Sequence, residues 1–133
     1  MDLRYVAPKI NFKADFHFNE NGIDGFTVIF PLNSGKKTFF FNHKKFGIPI
    51  LGTYELAGKK YECNEGDCLI LYDIGRGIFN YHTNWIWISS NFYLPDKRPF
   101  AFNLGDGLEI NLESNDTFSG EFCVLGNKVH KLD

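Results

Sequence analysis

The chain has 133 residues, the length of one domain, residues 1–133, with a core of its own. Lys and Arg number 14 against 16 Asp and Glu, a net charge of −2 that offers no cationic footprint for nucleic acid or an anionic membrane. Hydrophobic residues at 44% exclude a disordered chain, and the 15 Phe point to a wide apolar interior.

No stretch approaches the roughly 20 apolar residues of a membrane helix. The start, Met1-Asp2-Leu3-Arg4-Tyr5, lacks the apolar run of a secretion signal. A cytoplasmic location is therefore the expectation. Cys63, Cys68 and Cys123 are an odd number, in keeping with reduced thiols. Asn115-Asp116-Thr117 matches a glycosylation sequon, read as chance without a secretion signal.

The elements follow from period-2 alternation, since side chains alternate across a sheet. From Ile10 to Phe18 every apolar residue falls on one face, which predicts a half-buried strand. Asn19-Glu20-Asn21-Gly22 supplies a turn, and Phe26–Phe30 a second strand. Lys37–Phe41 and Ile48–Leu56 read as the third and fourth. Ala57-Gly58-Lys59-Lys60 reads as a hairpin connection into Tyr61-Glu62-Cys63. Cys68–Tyr72 is an apolar run short enough for a strand covered on both faces. Asp73-Ile74-Gly75-Arg76-Gly77 then reads as a Gly-rich loop. Trp85–Ser89, Pro99–Leu104, Leu108–Leu112, Glu121–Leu125 and Lys128–Lys131 complete about ten short strands. Such a series predicts an all-β, antiparallel barrel or sandwich.

Arg76 is the first candidate for a ligand contact, because a guanidinium fork suits a carboxylate or phosphate head. Asp73, three residues earlier, would either orient it or simply pair with it to fix the loop. Trp85 and Trp87 share a strand face and serve either as core or as pocket lining. Tyr81 and His82 precede them and could add a hydroxyl and an imidazole. No base–nucleophile pair is visible, so no catalytic residue is assigned. Cys63 and Cys68 form C-x4-C, but a structural zinc site needs four ligands, so no metal is expected. Neither Gly75-x-Gly77 nor Gly105-x-Gly107 extends to a dinucleotide fingerprint, and no cofactor is expected.

Four motifs in order carry a family likeness: Phe39-Phe40-Phe41-Asn42-His43-Lys44 with Ile48-Pro49 and Gly52; Asp73-Ile74-Gly75-Arg76-Gly77 with Tyr81, Trp85-Ile86-Trp87 and Ser89; Phe102-Asn103-Leu104-Gly105-Asp106-Gly107; and Lys128-Val129-His130-Lys131-Leu132. Together they resemble the domain-of-unknown-function family 2804 from about Phe39 to Leu132. The resemblance implies a lipocalin-like (calycin-type) barrel of about eight to ten strands. Family members are commonly longer, which would make this chain one portion of a larger arrangement. An exposed sheet edge would then favour pairing with a second copy. The sequence departs from the family pattern at Ile74, where an aromatic is usual, and at Ser119-Gly120-Glu121, where the acidic residue is displaced by one position.

The barrel interior is expected to hold Phe12, Phe16, Phe18, Phe40, Trp85, Trp87 and Phe102. The leading expectation is a binding module for an apolar or amphipathic small molecule. Lys44 or Arg76 would meet its polar head, with Asp73, Tyr81, Trp85, Trp87 and Asn103 completing the site. Two alternatives stay open: a hydratase- or isomerase-like enzyme acting on such a ligand, and a filled barrel used in assembly.

Overall fold

Alternation is expressed most plainly in the strand Phe12–Phe18, where Ala14 and Phe18 are buried while Lys13, Asp15 and His17 face solvent. The computed structural model describes residues 1–31, 38–79, 85–106 and 120–132. In chain order the elements are β1 (Asp2–Ala7), a 3₁₀ turn (Pro8–Ile10), β2 (Phe12–Phe18), β3 (Phe26–Pro31), β4 (Phe39–Leu56), β5 (Lys59–Cys63), β6 (Leu69–Ile78), β7 (Ile86–Tyr93), β8 (Pro99–Asp106), β9 (Phe122–Leu125) and β10 (Lys128–Lys131). Every pairing is antiparallel, so the chain is all-β as its alternation predicts. No helix among the described residues is long and apolar enough to cross a membrane.

The first six strands form one sheet, in which β1-β2-β4-β3 run side by side and β5 and β6 also pair with β4; the last four form a second, ordered β10-β9-β8-β7. No ladder joins the two among the described residues, and this corrects the expected closed barrel. Closure requires a continuous ring of ladders. Here β6 and β7 approach one another without pairing. The expected strand Leu108–Leu112 and the sequon at Asn115 lie outside the described residues.

Two strands expected as separate prove to be one. β4 runs unbroken for 18 residues and takes different partners along its length. Its first half lies between β3 and β6, and its second half between β2 and β5. Pro49 is tolerated at the changeover, after β3 has ended and before β2 begins. The Ile50 amide donates toward β6, to the Cys68 carbonyl at 3.3 Å. Successive amides alternate sides, so the missing donor of Pro49 falls where no strand needs it.

A bulge lets this one strand serve two cores. The register with β6 slips between Lys45 and Ile48, so two residues oppose one, and Gly47 takes a left-handed φ of 72°. A bulge inverts the parity of the residues beyond it. Phe46 therefore packs on one face with Ala101, Phe122 and Val124, while Ile48 and Ile50 pack on the other with Phe18 and Cys63. The Gly47 amide, displaced from the ladder, donates to Asn91 Oδ1 at 2.9 Å. On the Ile48 face, Lys45 pairs with Glu20 at 2.9 Å and the Tyr72 hydroxyl donates to the same carboxylate at 3.1 Å. The Lys45 ammonium, helped by Tyr72, holds the Glu20 carboxyl below its ordinary range.

The second sheet docks through Phe122, whose ring stacks on Phe26 at 4.7 Å and meets Phe46 edge-on at 5.1 Å. The turn after β9 adds Asp24 N donating to the Asn127 carbonyl at 3.0 Å. The expected interior is thus only partly right. Phe18 is buried, whereas Phe12, Phe16, Phe40 and Phe102 are half-buried. Trp85 and Trp87 are 53% and 44% exposed, so they are not core.

Candidate functional site

The Gly-rich stretch Asp73–Gly77, expected as a loop, continues β6 and pairs with Phe40–Lys44 of β4. That decides where its side chains go. Residues three apart in a strand point to opposite faces. Asp73 and Gly75 face the second sheet. Arg76, across from Phe41, faces away with Ile74, so Asp73 does not orient Arg76. Ile74 is itself 56% exposed on that outer face, and the family's aromatic position is therefore not a pocket position here.

Asp73 instead stands directly opposite Lys44, and their charged groups meet at 2.9 Å. The Lys44 ammonium also donates to Asn103 Oδ1 at 2.9 Å and sits 4.4 Å from the centre of the Trp87 ring. Trp87 Nε1 donates to the same Asn103 oxygen at 2.8 Å, and Asn103 Nδ2 donates to the Gly120 carbonyl at 2.9 Å. Behind Asp73, Asn42 donates through Nδ2 to Asp73 Oδ1. Asn42 is 1% exposed, and its own Oδ1 has no hydrogen-bond partner among the described residues. Reversing the amide would turn that oxygen on the Asp73 carboxylate, so the electrostatics favour this orientation.

Above this polar floor opens a pocket of about 250 Å³. Phe26 and Val28 of β3 and Phe40 of β4 form one wall, and Trp85, Ile86 and Trp87 the other; Phe79 and Gly105 also line it. Phe79 stacks obliquely on Phe40 at 5.3 Å. Gly75 is what lets Phe40 lie flat, because a Cβ there would fall 2.7 Å from the Phe40 ring. The volume lies just below the range of roughly 300–1,000 Å³ typical of ligand pockets. An aromatic wall over a few convergent polar groups is the usual composition of such sites.

The structure thus brings together five of the seven residues singled out from sequence: Lys44, Asp73, Trp85, Trp87 and Asn103. Arg76 is excluded from the group by strand parity. Tyr81, like His82, lies outside the described residues. Asn42, Phe26 and Phe79 were missed as site residues. For Asn42 a signal existed, since Phe40, Asn42 and Lys44 alternate onto one face and two of the three are polar. Among the described residues no group of three His, Cys, Asp or Glu is placed to hold a metal ion. All three cysteines are free, and burial, reinforced by Cys68, pushes the Cys63 thiol up to about 11.

No curated protein and no solved structure matches the chain. The family model described as "Domain of unknown function (DUF2804)" matches residues 2–133, well beyond the stretch that the four motifs cover. The chain belongs to the DUF2804 family.

Proposed function

We propose that the pocket binds one small, largely apolar molecule carrying a polar group at one end. The observation that carries this reading is the pairing of aromatic walls with a polar floor made by Lys44, Asp73 and Asn103. Had the aromatic content served only to fill a core, Trp85 and Trp87 would be buried; instead they stand at the mouth of a cavity. The lipocalin-like layout belongs to the same proposal. The long strand β4, bulged at Gly47, shared among several partner strands and facing the second antiparallel sheet across the pocket, supports it.

The chain's two tryptophans both line the pocket, so intrinsic fluorescence reports on it directly. Titration with N-phenylnaphthylamine, an uncharged apolar fluorophore, should quench tryptophan emission by energy transfer and saturate at one equivalent. Trp85→Ala and Phe40→Ala should each weaken affinity at least tenfold. Arg76→Ala, on the opposite face, should leave it unchanged. Unaltered affinity in both pocket variants would overturn the proposal.

A further inference from the structure

We infer that the pocket selects an uncharged ligand bearing a hydrogen-bond donor, an apolar alcohol rather than a carboxylate or an amine, and that Asp73 sets this choice. The inference rests on the binding reading above and adds the chemical class of the ligand's head. It comes from charge balance. Among the described lining residues the formal charges are Lys44 and Asp73, one of each sign, and they neutralise each other at 2.9 Å.

An anionic head would need an uncommitted cation. The Lys44 ammonium has three donors. One meets Asp73 and one meets Asn103, and the group lies over the Trp87 ring with its side chain only 13% exposed. A carboxylate entering here would have to break the ion pair or face Asp73 directly. A cationic head would meet Lys44 in the same way. The Asp73 carboxylate is the more open partner, with 29% of its side chain exposed. Each of its oxygens already accepts one hydrogen bond, from Lys44 or from Asn42, and each keeps a second acceptor site. On the Asp73 side the floor therefore offers unfilled acceptor sites that call for a donor. A hydroxyl supplies one without adding charge.

The test uses three molecules that share one ring system: naphthylmethanol, naphthoate and naphthylmethylammonium, titrated calorimetrically into the intact chain at neutral pH. The alcohol should bind at least tenfold more tightly than either ion. Asp73→Asn, nearly isosteric, leaves Lys44 uncompensated and should make naphthoate the tightest of the three. Lys44→Met, which frees Asp73, should favour the ammonium. Circular dichroism confirms that each variant is folded, and the wild-type ranking stands as a test without either. If naphthoate equals or exceeds the alcohol in the wild-type chain, the inference fails while the binding reading survives. If the alcohol leads but neither variant changes the order, Asp73 is not the selector. If none of the three, nor N-phenylnaphthylamine, binds, the binding reading itself fails and takes the inference with it.

Discussion

Asn103→Ala should be among the most damaging polar substitutions in this chain, and its cost can be worked from the geometry. Asn103 is 4% exposed and makes three hydrogen bonds of 2.8–2.9 Å: two accepted, from Lys44 and Trp87, and one donated to Gly120. A bond to a charged donor contributes about 1.5–3 kcal/mol and a neutral one about 1 kcal/mol. Water entering the pocket would restore part of this, which leaves an expected loss of about 3 kcal/mol. For a domain of this size, with a slope of about 1.5–2 kcal/mol per molar urea, the unfolding midpoint should fall by about 1.5–2 M. Tryptophan fluorescence and far-ultraviolet circular dichroism should report the same midpoint, which checks that unfolding is two-state. Trp87→Phe removes the indole donor together with part of the ring, and a double-mutant cycle subtracts the ring loss common to both backgrounds, leaving the Trp87–Asn103 coupling, expected near 1 kcal/mol. A midpoint shift below about 0.3 M for Asn103→Ala, or no coupling in the cycle, would refute the idea that this amide holds the two sheets together at the pocket floor.

Other consequences follow from burial, close approach and titration. Phe46→Ala empties a fully buried site between the sheets and should cost about 3–5 kcal/mol in urea unfolding, whereas Phe92→Ala, 43% exposed, should cost well under half of that. Gly75→Ala places a methyl carbon 2.7 Å from the Phe40 ring, which must turn into the pocket; N-phenylnaphthylamine affinity should drop about tenfold with only a few degrees' change in thermal midpoint. Cys63 titrates in the unfolded chain near 9.0 and in the folded chain at about 11. Between those values the unfolded state has lost its proton and the folded state has not, so stability falls as pH rises through that window. Iodoacetamide should accordingly alkylate folded Cys63 about 100-fold more slowly than the unfolded chain at pH 8, read by peptide mass spectrometry. Equal rates would show that the thiol is not buried as described.

Local signals were well preserved in the chain. The alternation of β2, the hairpin after Leu56 and the limits of β10 all follow from residue type and spacing, because pleat and turn geometry are set within a few residues. Lys59 and Lys60, expected in the connection, already belong to β5 and leave only Ala57-Gly58 in the turn. β1 carries the same alternation in Leu3, Tyr5 and Ala7, but too short and too exposed a one to stand out as a strand in the sequence. It lies at a sheet edge with its residues almost wholly exposed, held by its ladder with β2.

Sequence alone therefore determined the all-β class, most of the strands and the family, and it singled out Lys44, Asp73, Trp85, Trp87 and Asn103, which line one pocket. It did not determine which of these residues touch. Alternation assigns each side chain to one of two faces of its own strand and says nothing of the strand opposite. The pairing of Lys44 with Asp73 is a matter of register between β4 and β6, and that of Lys44 with Asn103 a matter of how two sheets stack. Two glycines in five residues signal a loop at Asp73–Gly77, where parity has no meaning; in the structure the segment is strand, and parity separates Arg76 from Asp73. The division of β4 between two cores turns on one bulge at Gly47, a single extra residue that inverts every face beyond it. Register, stacking and bulge position are set by contacts between residues far apart in the chain, and only the folded structure contains them.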